Sequence, residues 1–188
     1  MKWMLIRLSS YSFYNKILTM LDICTLGDEV LRTKCEKITE FDHSLELLTD
    51  AMFDTLVEAD GVGLAGPQIG VEKRLFVVDI PDEGIKKVFI NPEIIETSVE
   101  TGPYDEGCLS IPGLSHEVIR PLEVTVYAQD VKGKAFNVHA KGLYARVIQH
   151  ENDHLDGKLY IDRLSEEERE KMIAKYNKRK QSKKKSRN

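Results

Sequence analysis

No apolar run in this sequence approaches the roughly 18 residues that a membrane-spanning helix needs, which excludes a helical membrane protein and leaves a water-soluble body as the expectation. Cysteine is scarce: Cys24, Cys35 and Cys108 are odd in number, form no C-x-x-C pair and follow no recognisable secretory cleavage signal. These absences argue against a disulfide-stapled secreted scaffold and for a reducing compartment, cytoplasmic by default, with at least one free thiol. Acid is missing from both ends. Residues 1–19 carry Lys2, Arg7 and Lys16 with no Asp or Glu. They read as an N-terminal extension, either a transit-like segment, which would make the protein organellar, or residues ahead of a true start at Met20. Residues 178–187, from Lys178 to Arg187, carry seven Lys and Arg, and removing those seven from the net charge of −4 leaves −11 on the rest of the chain. Such a tail cannot bury enough apolar surface to fold by itself. It is expected to be solvated and able to tether an acidic body to a polyanion such as RNA, whereas specific DNA binding is not expected.

With 188 residues, 41% of them hydrophobic, the chain supports one well-buried core, read here as a body over 20–164 followed by a C-terminal helix and basic tail over 165–188. Leu45, Leu48, Met52 and Leu56 recur at helical spacing between an N-cap at Asp42 or Ser44 and a stop at Gly61. Strands are expected over 74–80, 87–90, 122–128 and 135–140, the last two forming a hairpin through Asp130-Val131-Lys132-Gly133. Leu143, Val147, Ile148 and Leu155 return to helical spacing, and Asp156-Gly157 ends that helix. Beyond Ser165, acids over 166–170 and bases over 171–180 follow the charge order that a helix dipole favours. Strands gathered in the middle, with helices before and after, predict an α+β fold of mostly antiparallel sheet packed around the helix near 143–155. Gly61-Val62-Gly63-Leu64-Ala65-Gly66 has the spacing of a dinucleotide loop, but it follows a helix and precedes a strand, the reverse of what such a loop requires.

That helix carries Gln149-His150-Glu151-Asn152-Asp153-His154, an H-E-x-x-H run. At about 3.6 residues per turn, His150 and His154 share one face and can reach a single divalent ion, with the Glu151 carboxylate beside it. Metal-assisted hydrolysis is the first reading. Catalytic metal sites commonly use a third protein ligand and leave a position for water, and Cys108, in Glu106-Gly107-Cys108-Leu109-Ser110, can supply a thiolate.

Taken together, three segments resemble the peptide deformylases, which remove the formyl group from the N-terminal formyl-methionine of nascent chains. They are residues 61–68, ending in Pro67-Gln68, then residues 106–110, then residues 149–154, and the likeness extends over about 21–164. The resemblance implies that Cys108, His150 and His154 hold one divalent metal and that Glu151 moves the protons. It further implies that the Gln68 amide and the Leu109 backbone N–H stabilise the negative formyl oxygen. One thiolate and two imidazoles suit Fe2+, Zn2+, Co2+ or Ni2+. The family's use of Fe2+ implies that ion in the cell, with another in a purified sample.

Substrate binding follows from the same resemblance: backbone at Val62, Gly63 and Gly107 would pair with an extended peptide, while Val62, Tyr104, Leu143 and Val147 would line the methionine pocket. Arg120 and Glu106 are expected to pair and brace the Cys108 loop. The implied partners are formyl-methionyl nascent peptides and, through Lys178 to Arg187, the ribosome. Two positions depart from the family's pattern. Gly66 stands where Ala is usual, which should loosen the backbone, and Ser115 stands where some members have an Arg that contacts substrate. Two other classes compete: an H-E-x-x-H metalloprotease drawing a ligand from Glu166 to Glu168, and a non-catalytic ribosome-associated module with a structural metal. Cys108, upstream of the helix, argues against the protease.

Overall fold

A computed structural model describes residues 20–185; the extension read over 1–19 lies outside them, as do Ser186 and Arg187 at the end of the tail. Helix α1 (His43–Glu58) begins where Asp42 accepts a hydrogen bond from the Leu45 N–H at 3.1 Å, so Asp42 rather than Ser44 is the cap. Its end corrects the sequence reading. Asp60, not Gly61, takes the left-handed conformation at φ 53°, and the Gly61 N–H closes back on the Leu56 carbonyl at 3.0 Å. Gly61 leaves room instead for two leucine ends: a Cβ there would lie 2.7 Å from Leu56 Cδ1 and 2.9 Å from Leu109 Cδ1, and both side chains would have to turn aside.

Strands β1 (Gly63–Ala65), β2 (Leu75–Ile80), β3 (Ile85–Thr97), β6 (Glu123–Gln129) and β7 (Ala135–Lys141) form an antiparallel sheet in the order β1-β2-β3-β6-β7. β3 runs well past the expected end at Ile90. It does so by bulging around Asn91 (φ 51°) and Pro92, with register shifts against β6 between Ile90 and Glu93 and again between Ile94 and Glu96. A separate two-stranded hairpin, β4 (Thr101–Gly107) and β5 (Ser115–Pro121), was not anticipated as strand.

Alternation along β2 explains the layering. Phe76, Val78 and Ile80 join Phe89, Val126, Val147, Ile148 and Leu155 on one face, under helix α2 (Gly142–Leu155). Leu75 and Val77 join Leu45, Met52 and Leu56 on the other, under α1. α2 ends as expected: Gly157 is left-handed at φ 69°, and the N–H groups of Gly157 and Lys158 cap the carbonyls of His154 and Asp153 at 3.1 and 3.0 Å.

Helix α3 (Glu166–Lys185) starts in a reciprocal cap between Ser165 and Glu168. It docks through Met172 and Tyr176 on a third apolar cluster with Ile111, Leu114, Val118 and Tyr160. The basic segment is therefore not an unfolded tail over its described length; helix continues to Lys185, propagated from a docked first half through residues with good helix propensity. Among the described residues no helix is long and apolar enough to cross a membrane.

Two stability predictions follow. Gly157→Ala places a Cβ 2.6 Å from the Arg32 carbonyl oxygen at a positive φ, whereas Gly70→Ala, at φ 77°, meets nothing within 4 Å. Urea unfolding should show a loss of about 1–3 kcal/mol for the first and a smaller loss for the second. Burial pushes the Cys35 thiol up to about 11 from 9.0, so the unfolded thiol ionises first and the stability contributed by the buried protonated form falls as pH rises from 9 towards 11. The stability difference between the wild type and Cys35→Ala should shrink over that window in urea titrations.

Candidate functional site

Two elements meet at the site. α2 presents His150, Glu151 and His154, all buried, and the turn after β4 presents Cys108. The ligand atoms of Cys108, His150 and His154 lie within 4.8 Å of one another, with Cys108 Sγ 3.3 Å from His154 Nε2. His150 Nδ1 is engaged by Glu106 Oε2 at 2.9 Å, which turns the other ring nitrogen towards the cluster. His154 is held well below the usual imidazole range by burial and by neighbouring His150, so it is neutral, the form a ligand needs. Its Nδ1 is sealed, with no hydrogen-bond partner among the described residues. Thiolate and imidazole donors at this closeness suit a divalent first-row metal.

Glu151 is sealed beside them at 4% exposure, and burial pushes its carboxyl up to about 7. Gly63 on β1 makes this placement fit: a Cβ there would lie 2.5 Å from Glu151 Oε1 and 2.8 Å from Val147 Cγ1. Gln68, in the 3-10 turn Gly66–Ile69, is fixed through Oε1 by the Ala65 N–H at 2.8 Å. Its Nε2 points at Ser110 Oγ (3.2 Å) and Cys108 Sγ (3.6 Å). The Leu109 N–H donates no hydrogen bond among the described residues.

A cavity of about 680 Å³ opens over this group. Val62, Gly63, Gly107, Leu143 and Val147 line it, and Tyr104, 46% exposed, stands at its mouth. Gly107 is not crowded by the protein, since a Cβ there would approach only the Leu114 carbonyl oxygen, at 3.9 Å. Gly66 does not loosen the backbone as expected; a Cβ there would press on the Lys73 and Val71 carbonyl oxygens at 2.7 Å each, so the local chain is closed around it. Ser115 donates to Asp105 Oδ2 at 2.9 Å on the cavity wall. Glu166 to Glu168 belong to the first turn of α3, where Glu168 caps the helix and Glu167 pairs with Lys171; none of the three lines the cavity.

Behind and along one wall of the cavity runs a largely buried charge network that the sequence reading met only in part. Arg120, fully buried, grips Glu106 with Nε and Nη2 at 2.7 and 2.9 Å and donates through Nη1 to Asp153 Oδ2 at 2.6 Å. Asp153 also receives both Nε and Nη2 of Arg163 at 2.6 Å, and Arg146 Nη1 reaches Glu106 Oε1 at 3.0 Å. Burial would raise Glu106, but hydrogen bonds from His150 and Arg120 hold it at about 2, so it is ionised. Arg146, Asp153 and Arg163 were missed. A signal existed for the first: Arg146 is one turn before His150 on the same helix, a basic residue among buried apolar neighbours. Arg120→Ala leaves Glu106 and Asp153 short of a counter-charge and should cost about 3–5 kcal/mol, read as a lower urea midpoint at unchanged slope.

The polypeptide deformylase family matches residues 20–170. The peptide deformylase of Natranaerobius thermophilus is 50% identical over 148 residues, covering 79% of this chain and 94% of that protein. The peptide deformylase structure from Legionella pneumophila superposes with a TM-score of 0.83 at 44% identity, covering 87% of this chain and 97% of that one. A Synechococcus elongatus peptide deformylase, solved in complex with actinonin, gives 0.79 at 40% identity over 84% of this chain and 88% of that one. A family match across most of the described residues, with relatives of nearly the same extent, makes this chain a member of the polypeptide deformylase family.

Proposed function

We propose that the protein removes the formyl group from N-terminal formyl-methionine of newly made chains, with Cys108, His150 and His154 as the ligands of one divalent metal. The observation that carries this reading is the convergence of those three ligand atoms, a buried carboxyl at Glu151 and a Leu109 N–H unused among the described residues on one cavity. When bound, a divalent ion lowers the pKa of water and polarises a carbonyl. Glu151, with its carboxyl near neutrality, takes a proton from the attacking water and returns it to the departing amine. Leu109 N–H and Gln68 Nε2 donate to the formyl oxygen as charge grows on it, contacts typically worth about 3–4 kcal/mol each. Gly63, Val62 and Gly107 offer backbone to an extended peptide, and Leu143, Val147 and Tyr104 receive the methionine side chain.

In this reading residues 20–164 form the catalytic body, acting in the cytoplasm unless residues 1–19 direct it to an organelle, and 165–188 follow as helix and basic tail. The relative named peptide deformylase 1B of Arabidopsis thaliana is described as chloroplastic/mitochondrial, which supports keeping the organellar case. Contact of the Lys178 to Arg187 segment with ribosomal RNA is proposed on its charge alone. Fe2+ is the proposed cellular metal, with Zn2+, Ni2+ or Co2+ able to occupy the same donors.

A formyl-methionyl tripeptide and its unformylated twin test the activity directly: formate release from the first with no backbone cleavage of either is expected, and cleavage of the second without formate overturns the reading. Glu151→Ala should lower kcat by about 10²–10⁴-fold while elemental analysis finds the metal retained. A chelator should abolish turnover, and adding back each candidate ion anaerobically should restore it to different degrees.

A further inference from the structure

Arg146 has an unusual position. It lies one helical turn before His150 on α2, is 6% exposed, and yet forms part of the cavity wall. Its guanidinium spreads over three acceptors on other elements: Nη1 donates to Glu106 Oε1 and to the Val118 carbonyl, both at 3.0 Å, and Nη2 to the Gly102 carbonyl at 2.9 Å. The ring of Tyr104, at the cavity mouth, is centred 5.6 Å from its Cζ. The second oxygen of Glu106 holds His150 Nδ1. Two contacts thus connect a wall of the cavity to a ligand ring. Arg120 grips the same carboxylate, but it does not line the cavity.

A histidine ligand is oriented by what its second nitrogen meets, and a carboxylate orients it well only when its own oxygens are held. Glu106 Oε1 takes Arg120 Nε and Arg146 Nη1, and Oε2 takes Arg120 Nη2 and His150. Without Arg146 one of those four contacts disappears, and the carbonyls of Gly102 on β4 and Val118 on β5 lose a donor. Gly102 lies two positions from Tyr104 on the same strand, so the loss reaches the pocket mouth as well as the ligand.

We infer that Arg146 is a positioning residue: through Glu106 it fixes the ring of His150, and through Gly102 and Val118 it fixes the hairpin that walls the pocket. The inference rests on His150 being a metal ligand, as proposed above. Arg146→Met keeps an apolar side chain of similar length against the cavity and removes every donor; Arg146→Lys keeps the charge, but a compact ammonium cannot span three acceptors on separate elements. Cobalt(II) is titrated into the folded apoprotein, following the thiolate-to-cobalt absorption band, and kcat and KM are measured separately on a formyl-methionyl tripeptide.

The expected result for Arg146→Met is cobalt binding and kcat each weakened about 10–100-fold, with Arg146→Lys between it and the wild type. A role confined to stability would lower the unfolding midpoint and leave both values unchanged in the folded protein. Wild-type cobalt affinity and kcat in folded Arg146→Met would therefore overturn the inference. Should that variant fail to fold, Arg146→Lys decides by the same two readings. Absence of the thiolate band in the wild type itself would overturn the ligand set, a failure distinguishable from failure of the Arg146 role.

Discussion

A single ionised carboxylate, Glu106, joins the two halves of this site. It sits at the end of β4 at 3% exposure, and its oxygens meet Arg120 from β5 and both Arg146 and His150 from α2. Removing a carboxylate from water costs several kcal/mol unless its lone pairs are filled, and here they are. The hairpin and the helix are therefore fixed in relative position by hydrogen bonds with short range and strict direction, where apolar packing alone would tolerate sliding. Asp153, three positions after His150 on α2, repeats the arrangement, with Arg120 shared between the two acids and Arg163 donating to both Asp153 oxygens.

Glycine does the complementary work of keeping space clear. Gly61 lets α1 approach Leu109, and Gly63 lets the backbone of β1 lie against Glu151. Neither position has the positive φ that usually explains a glycine; at Gly63 it is the space taken by Glu151 and Val147 that leaves no room for a Cβ. The proposed proton carrier is consequently confined between an edge strand and its own helix, away from bulk water, which is why burial pushes its carboxyl up to about 7.

The helices were legible because their apolar positions keep a helical period and their ends carry recognisable chemistry, as at Asp42 and Gly157. The β4–β5 hairpin was not. Its strands are broken by Gly102, Pro103 and Gly107 and expose Tyr104 and Ile119, so no clean alternation survives; its inward residues are Glu106, Val118 and Arg120, two of them charged. β3 was cut short for a related reason, because Asn91-Pro92 reads as a turn and only pairing with β6 through a bulge carries the strand across it. The candidate site was readable as residue types at fixed spacings, whereas its support was not: Asp153 looks like an exposed helix polar residue until Arg120 and Arg163, from two separate elements, are known to converge on it.

The proposed donor set is split between a neighbouring pair on α2 and one thiol from the β4–β5 connection, Cys108 and His154 being 46 positions apart. In an unfolded chain the two imidazoles can meet a cation without the sulfur, so the full set exists only after the hairpin has docked on the helix. Ion binding and hairpin docking are then thermodynamically linked: each makes the other more favourable by the same free energy. A loaded site would act as a clamp across the two layers, and loss of its ion would be felt as looseness of the pocket wall before any loss of the main sheet.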